Sequence, residues 1–367
     1  MEISIVIPCK NEQEGIGICI DKIKKTRPDA EIIVVDNNST DKSAEIARKK
    51  GAKVVKETTP GYGAALRKGF KTAKGKYVIM ADADDTYDFR EIKTLLKYKE
   101  YDMVLGNRKN KKMKKGSMPF LHRFVGTPAL SKMLRTIFKT KIKDSQSGFR
   151  LIKKEALDAM NLQSNGMELA SEMIIKATKL KLKVKETPIT YHPRKGDSKL
   201  NTFNDGWRHL KLILIYGPNY LFLMPGLLLF TLGILLTTTL TFTNINILGI
   251  TLQEHPQIIG SIITILGFNI ITLWSFTKIY EKEHLNEKNK FSEIIKKTNL
   301  EKILITGLIP IIISLIIFVN ILITWINANF GELQQIRTAI LALTLLILGT
   351  QIIFSGFFIS VLQTKKE

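Results

Sequence analysis

The stretch "KYVIMADADDTYD", residues 76–88, decides the fold that we predict for this chain. Its first part, "KYVIMADA" (76–83), has the apolar composition of a buried strand. Four carboxylates, Asp82, Asp84, Asp85 and Asp88, then fall within seven positions. A buried strand that ends in acidic residues is typical of a sheet that binds ligands beyond the carboxyl ends of its strands.

Strands and helices alternate around this stretch through the first half of the chain. The apolar patterns predict strands over 3–9, 31–37, 52–57, 76–83 and 101–108, and helices over 12–26, 41–50 and 61–73. This alternation predicts an α/β fold, a Rossmann-like, open and mostly parallel sheet with helices on both faces. The ends of its strands bring candidate ligand-binding residues to one rim: Pro8, Glu12, Asp36, Asp82 and Asp84.

Charge is distributed unevenly along the 367 residues. Residues 1–215 hold 45 Lys and Arg against 25 Asp and Glu, whereas the remainder holds 10 against 8. A basic body suits anionic partners such as nucleotide phosphates and lipid headgroups. The two cysteines, Cys9 and Cys19, argue against a disulfide framework and favour a reduced, cytosolic compartment.

The second half contains four apolar runs long enough to cross a hydrocarbon layer of about 30 Å. They lie over 221–242, 258–277, 303–326 and 339–362, and they predict an all-α transmembrane domain of two helical hairpins over 220–367. The loop over 281–302 carries six lysines, whereas the other two loops together carry one Arg. Because positive charge marks the cytosolic side, we predict a multi-pass protein of the cell membrane with its N-terminal body and C-terminus in the cytosol.

Two amphipathic, basic segments are candidates for the membrane surface. In "FNDGWRHLKLIL" (203–214), Phe203 and Trp207 share a helical face, which predicts an interface helix over 202–219. In "MPFLHRF" (118–124), apolar residues recur at helical spacing beside Arg123. Core packing explains either segment alone equally well. The basic run "KNKKMKKG" (109–116) lacks an aromatic stacking platform, so we predict no nucleic-acid partner.

Asp82 and Asp84 form the candidate metal site. Alternate residues of a strand point to the same side, so both carboxylates face one site if the extended geometry persists. Mg²⁺ or Mn²⁺ needs only one or two protein carboxylates when substrate phosphate oxygens complete its coordination. The alternative is a solvated acidic turn that caps the next helix, and we assign that cap to Asp88.

Two further segments are candidates for a nucleotide site. Asp36 ends a strand in "VVDNNSTD" (34–41), where its carboxylate can accept hydrogen bonds from a nucleobase or a ribose. The segment "GYGAALRKGF" (61–70) resembles a phosphate-cradling glycine turn without the strict dinucleotide pattern. We expect Gly61 to allow close backbone approach to a sugar nucleotide, and Arg67 to face phosphate.

In their order along the chain, "VIPCKNEQEGI" (6–16), "VVDNNSTD", "GYGAALRKG" and "DADDTYD" resemble the motifs of family 2 glycosyltransferases of the GT-A fold. The resemblance is closer to polyprenyl-phosphate sugar synthases of the dolichol-phosphate mannosyltransferase type. It continues through "GNR" (106–108), "HRFVGTPAL" (122–130), "DSQSGFRLIKKEAL" (144–157) and "YHPRKGDSKL" (191–200). It covers about residues 1–215, and we assign the GT-A domain to 1–201.

The resemblance implies roles for individual residues. Nucleotide contacts fall on Pro8, Glu12 and Asp36, and the metal and diphosphate contacts fall on Asp82 and Asp84. Thr86 stands where many relatives carry a glutamine metal ligand, which puts its own ligation in question. The implied contacts with the acceptor phosphate are Arg108, Arg123, Thr127, Ser147 and Arg150. A basic flap that closes over the donor is implied for Arg194, Ser198 and Lys199.

The implied activity is an inverting, metal-dependent transfer of a sugar from a nucleotide diphosphate to the phosphate of a polyprenyl or dolichyl phosphate. GDP-mannose is the first choice of donor, Mg²⁺ or Mn²⁺ is the cofactor, and Asp84, Arg108 and Arg123 are the predicted catalytic residues. UDP-glucose, UDP-N-acetylglucosamine or another lipid-linked acceptor stay open as alternatives. A different class, a non-catalytic lipid-binding or translocating membrane protein, also stays open.

Overall fold

The computed structural model describes most of the chain as two compact units, Met1–Tyr216 and Gly217–Glu367. The residues that it describes are 2–109, 113–114, 116–196, 202–247, 250–252, 254–285, 291, 293–294 and 299–364. The predicted combination of an α/β fold with an all-α membrane region is confirmed. The helix that begins at Thr202 belongs to the first unit.

The first unit alternates strands and helices, as the sequence pattern predicts. Its strands are β1 (Ile3–Cys9), β2 (Glu31–Asp36), β3 (Lys53–Lys56), β4 (Tyr77–Met80), β5 (Met103–Asn107), β6 (Arg150–Lys153) and β7 (Val184–Pro188). Its helices are α1 (Ile16–Thr26), α2 (Ser43–Lys49), α3 (Tyr62–Thr72), α4 (Ile92–Leu96), α5 (Thr127–Phe138), α6 (Lys154–Met160), α7 (Leu169–Lys179) and α8 (Thr202–Ile215). A 3₁₀ turn (Phe89–Glu91) precedes α4, and a π-helical turn (His122–Gly126) precedes α5.

The seven strands form one mixed sheet in the order β3-β2-β1-β4-β6-β5-β7. Strands β3, β2, β1 and β4 run parallel, while β6 lies antiparallel between β4 and β5. Arg150, the first residue of β6, pairs with Met80 at the end of β4 and with Leu105 in β5. The segment that leads into β6 therefore reaches the same edge at which the parallel strands end.

Buried apolar side chains cover both faces of this sheet, because its strands alternate between two hydrophobic clusters. In β1, Ile5 and Ile7 point into a cluster with α1, whereas Val6 points into a cluster with α3 and α7. Coverage on both faces explains why β1 is apolar at nearly every position. Fixed from both sides, the sheet holds the ends of its strands at defined positions.

Strand β4 ends at Met80, three residues earlier than the predicted end at 83. Its last sheet contact is the hydrogen bond from the amide of Ala81 to the carbonyl of Val6. Asp85 then has a φ of +61°, a conformation that reverses the chain locally. The expectation that extended geometry continues through Asp82 and Asp84 is therefore wrong, and both aspartates lie on a loop beyond the strand.

The second unit contains four long apolar helices, which carry the four predicted runs. They are α9 (Met224–Phe242), α10 (Glu254–Leu285), α11 (Leu300–Asn327) and α12 (Ile336–Gln363). The candidate spans within them are Asn219–Phe242, Glu254–Glu283, Leu300–Asn327 and Ile336–Gln363. Two short antiparallel strands, β8 (Ile245–Ile247) and β9 (Ile250–Leu252), join α9 to α10 where the sequence predicted only a loop.

Glycines bring the helices of each hairpin into close contact. A Cβ at Gly233 of α9 would collide with the backbone of Thr264 in α10, and a Cβ at Gly307 of α11 would lie 2.9 Å from the carbonyl oxygen of Gly349 in α12. Small residues at such positions let apolar helices pack by direct backbone approach, as membrane helices do.

Candidate active site

Asp82 lies just beyond β4 and is oriented by a tyrosine. The phenol of Tyr62, the first residue of α3, donates a hydrogen bond of 2.8 Å to Oδ1 of Asp82. Burial raises the pKa of the Asp82 carboxyl to about 6, the nearby charge of Asp84 adds to the rise, and the Tyr62 hydrogen bond opposes it. Two carboxylates thus stand close together in a place with little water, an arrangement that favours a cation.

Asp84 is oriented by Thr86. The Thr86 hydroxyl donates a hydrogen bond of 2.7 Å to Oδ1 of Asp84, and the Thr86 amide donates to the same oxygen at 3.2 Å. The Thr86 side chain is buried. Thr86 therefore holds Asp84 in place. This role differs from the metal ligation that the resemblance implies for a glutamine at this position.

The other two carboxylates of the opening stretch have structural partners. Asp85 forms an ion pair of 2.6 Å with Lys22 of α1. The carboxylate of Asp88 accepts a hydrogen bond of 3.0 Å from the amide of Arg90 and caps the 3₁₀ turn before α4. The assignment of the cap to Asp88 is confirmed. Asp85, for which we predicted no role, anchors the loop to α1.

The chemistry of this carboxylate pair fits Mg²⁺ or Mn²⁺. Carboxylate oxygens are hard donor atoms, which these cations prefer. The hydroxyl of Tyr62 orients one oxygen of Asp82, and the hydroxyl of Thr86 orients one oxygen of Asp84. Among the residues that the structure describes, no group of three or more His, Cys, Asp or Glu surrounds such a site. A cation here would therefore take its remaining oxygen ligands from substrate phosphate and water, as Mg²⁺ sites with one or two carboxylates do.

The segment Tyr191–Gly196 lies across this loop and carries Arg194 into the site. Nη2 of Arg194 lies 2.9 Å from Oε1 of Glu12, and Nη1 lies 3.7 Å from Oδ2 of Asp84. Backbone amides fix the segment, since His192 donates to the carbonyl of Thr86 and Lys195 to that of Asp84. Arg194 thus faces the candidate metal site. Ser198 and Lys199, the other residues of the implied flap, lie outside the described residues.

The residues predicted to contact the nucleotide lie at the ends of β1 and β2. Pro8 lies in β1 opposite Val35, and Asp36 ends β2 with its Oδ1 accepting a hydrogen bond of 3.0 Å from the amide of Ser39. The adjacent Asn37 is buried and donates to the carbonyls of Glu57 and Thr59. Asn37 therefore ties the segment after β3 to the end of β2.

Gly61 and Arg67 contact another part of the protein. Gly61 has a φ of +135°, and a Cβ there would overlap the carbonyl oxygen of Asn165. Nη1 of Arg67 donates to the carbonyl of Gln163 and to Oδ1 of Asn165, each at 2.7 Å. The close backbone approach expected at Gly61 is thus made to the loop over 163–166. The structure brings neither residue into contact with Asp82 or Asp84.

Arg108 lies at the end of β5 and is almost completely buried. Its guanidinium forms two hydrogen bonds of 2.9 Å with the carboxylate of Asp144, and it lies 5.3 Å from the ring centre of Tyr191. Burial lowers the pKa of Arg108, but Asp144 more than offsets this and keeps it above its ordinary value. The positive charge also lowers the pKa of Asp82, which places Arg108 within electrostatic reach of the carboxylate pair.

Ser147 and Arg150 belong to the loop 144–149 and the strand that follows it, and both are completely buried. Arg150 donates to the backbone carbonyls of Ser145 and Ser147, each at 2.8 Å, and to that of Ala170 at 3.1 Å. Burial lowers its pKa to about 10. These hydrogen bonds hold the loop 144–149 in place. We therefore assign Arg150 a supporting role instead of the direct contact with the acceptor phosphate that the resemblance implied.

Arg123 and Thr127 belong to the π-helical turn and to the start of α5. Arg123 is exposed on the π-helical turn, with its guanidinium 5.1 Å from the ring centre of Phe124, whereas Thr127 is buried at the start of α5. A hydrogen bond of 2.9 Å between His122 and Thr202 joins this turn to α8. The exposed aromatic residues on these two elements are Phe124, Phe203 and Trp207, and Phe120 is exposed just before the turn. We call this the apolar-basic surface.

Two family models match the chain. Residues 4–160 match the family described as "Glycosyl transferase family 2", and residues 275–363 match "Glycosyltransferase family 2 C-terminal transmembrane region". The low-salt glycan biosynthesis hexosyltransferase of Haloferax volcanii is 34% identical over 97% of this chain and 88% of its own length. The chain belongs to glycosyl transferase family 2. The resemblance found in the sequence is confirmed.

Other family 2 relatives match mainly the first unit. The dolichol-phosphate mannosyltransferase of Pyrococcus furiosus is 31% identical, over 57% of this chain and 63% of its own length. A solved mycobacterial protein, 18% identical, superposes with a TM-score of 0.50 over 59% of this chain and 74% of its own. That likeness supports the fold. As a family 2 glycosyltransferase with a family transmembrane region, the protein is an enzyme and a multi-pass membrane protein, so the non-catalytic alternative is set aside.

Sequence reasoning did not find several residues that build this glycosyltransferase site. Tyr62 follows Gly61, but no pattern indicated that its phenol would reach Asp82. Asp144 begins the segment 144–157 and pairs with Arg108, yet 36 residues separate the two. Tyr191 contacts Tyr87 and Arg108 from the segment that follows β7. These pairings depend on which strands become neighbours, and the local sequence carries little signal for that.

Proposed function

We propose that this family 2 glycosyltransferase transfers a hexose from a nucleotide diphosphate sugar to the phosphate of a polyprenyl or dolichyl phosphate, with inversion at the anomeric carbon. GDP-mannose is the first choice of donor. UDP-glucose and UDP-N-acetylglucosamine are the alternatives, because the described residues on the nucleotide side of the rim do not distinguish the bases. Another lipid-linked acceptor is the alternative on the other side of the reaction.

The observation that carries the proposal is that one unit contains two kinds of feature. Paired carboxylates, Asp82 and Asp84, stand with Arg194 and Glu12 at the edge of the sheet. The same unit exposes the apolar-basic surface, in which Phe124 is 56% and Phe203 83% exposed. A nucleotide diphosphate suits the first feature, and a lipid that carries a phosphate suits the second. The names of the relatives, a hexosyltransferase and a dolichol-phosphate mannosyltransferase, support the same pairing.

In the proposed reaction a phosphate oxygen of the lipid attacks the anomeric carbon. A new carbon–oxygen bond forms as the bond from that carbon to the nucleotide diphosphate breaks, and the electron pair leaves with the diphosphate. The acceptor already carries a charge of about −1.5 to −2 near pH 7, so it needs little help from a general base. The enzyme therefore contributes mainly position and electrostatic stabilisation.

Each group of residues has a proposed part in this step. Asp82 and Asp84 would hold Mg²⁺ or Mn²⁺, which supplies positive charge next to the departing diphosphate. Pro8, Glu12 and Asp36 line the nucleotide side, and Arg194 covers it. Arg123 orients the acceptor phosphate with charge-assisted hydrogen bonds, while Arg108, which Asp144 holds, adds a fixed positive charge.

The proposed location of the reaction is the cytosolic face of the cell membrane. The lysine-rich loop over 281–302 and the basic tail support this orientation, since positive loops stay on the cytosolic side. Helix α8 and the turn His122–Gly126 would then rest on the lipid surface through their exposed aromatic residues.

The test uses the full-length protein in membranes or detergent micelles with a panel of radiolabelled nucleotide sugars. We expect a labelled lipid to form from one donor, and only when polyprenyl phosphate and a divalent cation are both present. Mild acid should release the sugar from the product as from a sugar phosphate. Label that appears in an existing lipid-linked sugar instead, without added polyprenyl phosphate, would contradict the proposed acceptor.

A further inference from the structure

Helix α8 has a buried histidine on the face opposite its exposed aromatic residues. His209 is 5% exposed, whereas Trp207, two positions away, is 60% exposed. Nδ1 of His209 lies 2.8 Å from the hydroxyl oxygen of Ser171 in α7. The helix thus presents an apolar side outward and a single hydrogen-bonding ring inward.

The contact with Ser171 is the first link of a buried hydrogen-bond chain. Nε2 of Gln146 lies 3.1 Å from the Ser171 hydroxyl and 3.0 Å from the hydroxyl of Ser145. The Ser145 hydroxyl lies 2.9 Å from that of Ser131 in α5. The chain therefore runs from α8 through α7 into the loop 144–149 and on to α5, the helix that follows the turn of Arg123.

The same loop carries the contacts of the two buried arginines. Asp144 holds Arg108, and the carbonyls of Ser145 and Ser147 accept hydrogen bonds from Arg150. A displacement of Gln146 and Ser145 would therefore move Asp144 and, with it, the guanidinium of Arg108. His209 reaches this loop through Ser171 and Gln146.

The protonation state of His209 fits an acceptor role. Burial lowers the pKa of His209 to about 4, and the nearby charge of Arg150 adds to this. A neutral ring at physiological pH accepts a hydrogen bond from the Ser171 hydroxyl at Nδ1, and the Ser171 oxygen accepts a hydrogen bond from Nε2 of Gln146. Every link of the chain has a donor and an acceptor in this arrangement.

We propose that His209 is a positioning residue, which ties α8 to the loop 144–149 and so sets how well the enzyme binds the acceptor phosphate. The inference rests on the proposed function, because it assumes a lipid phosphate as acceptor. It deepens that function by giving α8 a second task beside contact with lipid. The hydrogen-bond chain transmits the position of a membrane-surface helix to the arginine beside the acceptor.

The test compares four variants of the full-length enzyme. His209→Leu fills the buried space with an apolar side chain and removes the acceptor Nδ1. Ser171→Ala removes the hydroxyl at the other end of the same hydrogen bond. His209→Asn retains an acceptor atom near the place of Nδ1. Ser4→Ala is the matched control, because it removes a buried hydroxyl that bonds Glu31 at the opposite end of β1.

For His209→Leu and Ser171→Ala we expect the KM for polyprenyl phosphate to rise about tenfold, the usual cost of one unpaired buried polar group. The KM for the nucleotide sugar should stay within about twofold, and His209→Asn should restore most of the acceptor affinity. Ser4→Ala should lower the melting temperature to a similar extent without altering either KM. This split separates positioning of the acceptor from a loss of stability.

Three outcomes overturn the inference: an unchanged acceptor KM in both link variants, equal rises for both substrates, or the same acceptor defect in Ser4→Ala. Should a link variant fail to fold, the other one and His209→Asn still decide the question. Failure of the proposed function would look different, since the wild-type enzyme itself would then form no product from polyprenyl phosphate.

Discussion

Nη2 of Arg194 lies 2.9 Å from Oε1 of Glu12, although 182 residues separate them in the sequence. The contact joins the loop after β1 to the segment that follows β7. Because the same guanidinium lies 3.7 Å from Asp84, one positive charge serves two carboxylates of the proposed donor site. A nucleotide diphosphate would offer that charge a third, stronger partner.

Arg194→Ala should therefore weaken donor binding. We expect the KM for the nucleotide sugar to rise about tenfold, the effect of losing one or two hydrogen bonds from a charged group. The melting temperature should change little, since partly exposed ion pairs contribute about 0–1 kcal/mol. Lys195→Ala, at an exposed neighbouring position, is the control for charge alone. Equal effects of the two substitutions would argue against a specific role for Arg194.

The neighbouring aspartates Asp84 and Asp85 should respond in opposite ways. Asp84→Ala should reduce turnover at least about a hundredfold while the fold persists, because the proposed cation loses an oriented ligand. Asp85→Asn should keep turnover and lower the free energy of unfolding by about 1 kcal/mol or less, since it breaks only the pair with Lys22. Initial rates and thermal melts of the two purified variants check this. Near wild-type turnover by Asp84→Ala would refute the metal assignment.

Arg123→Ala should affect the lipid substrate. We expect the KM for polyprenyl phosphate to rise about tenfold with an unchanged KM for the donor, because the lost contact is a charge-assisted hydrogen bond. Lys132→Ala, exposed on α5, removes the same charge a few turns away and should leave both values unchanged. The two KM values are measured by varying each substrate in turn. A higher KM for the donor in Arg123→Ala would contradict the proposed contact of Arg123 with the acceptor phosphate.

Gly61→Ala should destabilise the first unit. The added Cβ meets the carbonyl oxygen of Asn165, and the φ of +135° is unfavourable for any other residue. We expect a loss of about 1–3 kcal/mol in the free energy of unfolding. Gly206→Ala in α8 is the control, because a Cβ there has open space and a helical glycine is replaced at a gain of about 0.5–1 kcal/mol. Denaturant titration of both variants tests this pair.

The sequence predicted the elements of this fold better than the contacts between them. The apolar runs of β1, β2 and β4 and the four membrane helices are local patterns, so most of their ends were found to within a few residues, whereas α10 continues to Leu285, well beyond the predicted end at 277. Strand β6 has only four residues, and its antiparallel place between β4 and β5 depends on distant pairing. No local sequence pattern predicts such a strand.

In the candidate site, too, the residues were easier to predict from the sequence than their contacts. Asp82 and Asp84 were visible because they directly follow a buried strand. In the sequence, Thr86 occupies a position where many relatives carry a metal ligand. Only the structure shows that the Thr86 hydroxyl donates a hydrogen bond to Asp84. The glycine at 61 resembled a phosphate turn, but the backbone that approaches it belongs to Asn165, a hundred residues further along the chain. A sequence motif reveals the residue type that a position requires, and the partner has to come from the fold.

Within the described residues, the pairing of Met80 with Arg150 across β4 and β6 is where the sheet joins the two sides of the proposed site. Pro8, Glu12, Asp36 and the two aspartates of the proposed donor side are encoded before residue 90, whereas Arg194 and the loop of the proposed acceptor side follow later in the chain. A chimera of two relatives would therefore have to preserve this strand pair together with the contacts that cross it, among them Arg67 with the loop 163–166 and Arg194 with Glu12. Chimeric enzymes built on this principle would combine the sugar choice of one parent with the lipid choice of the other.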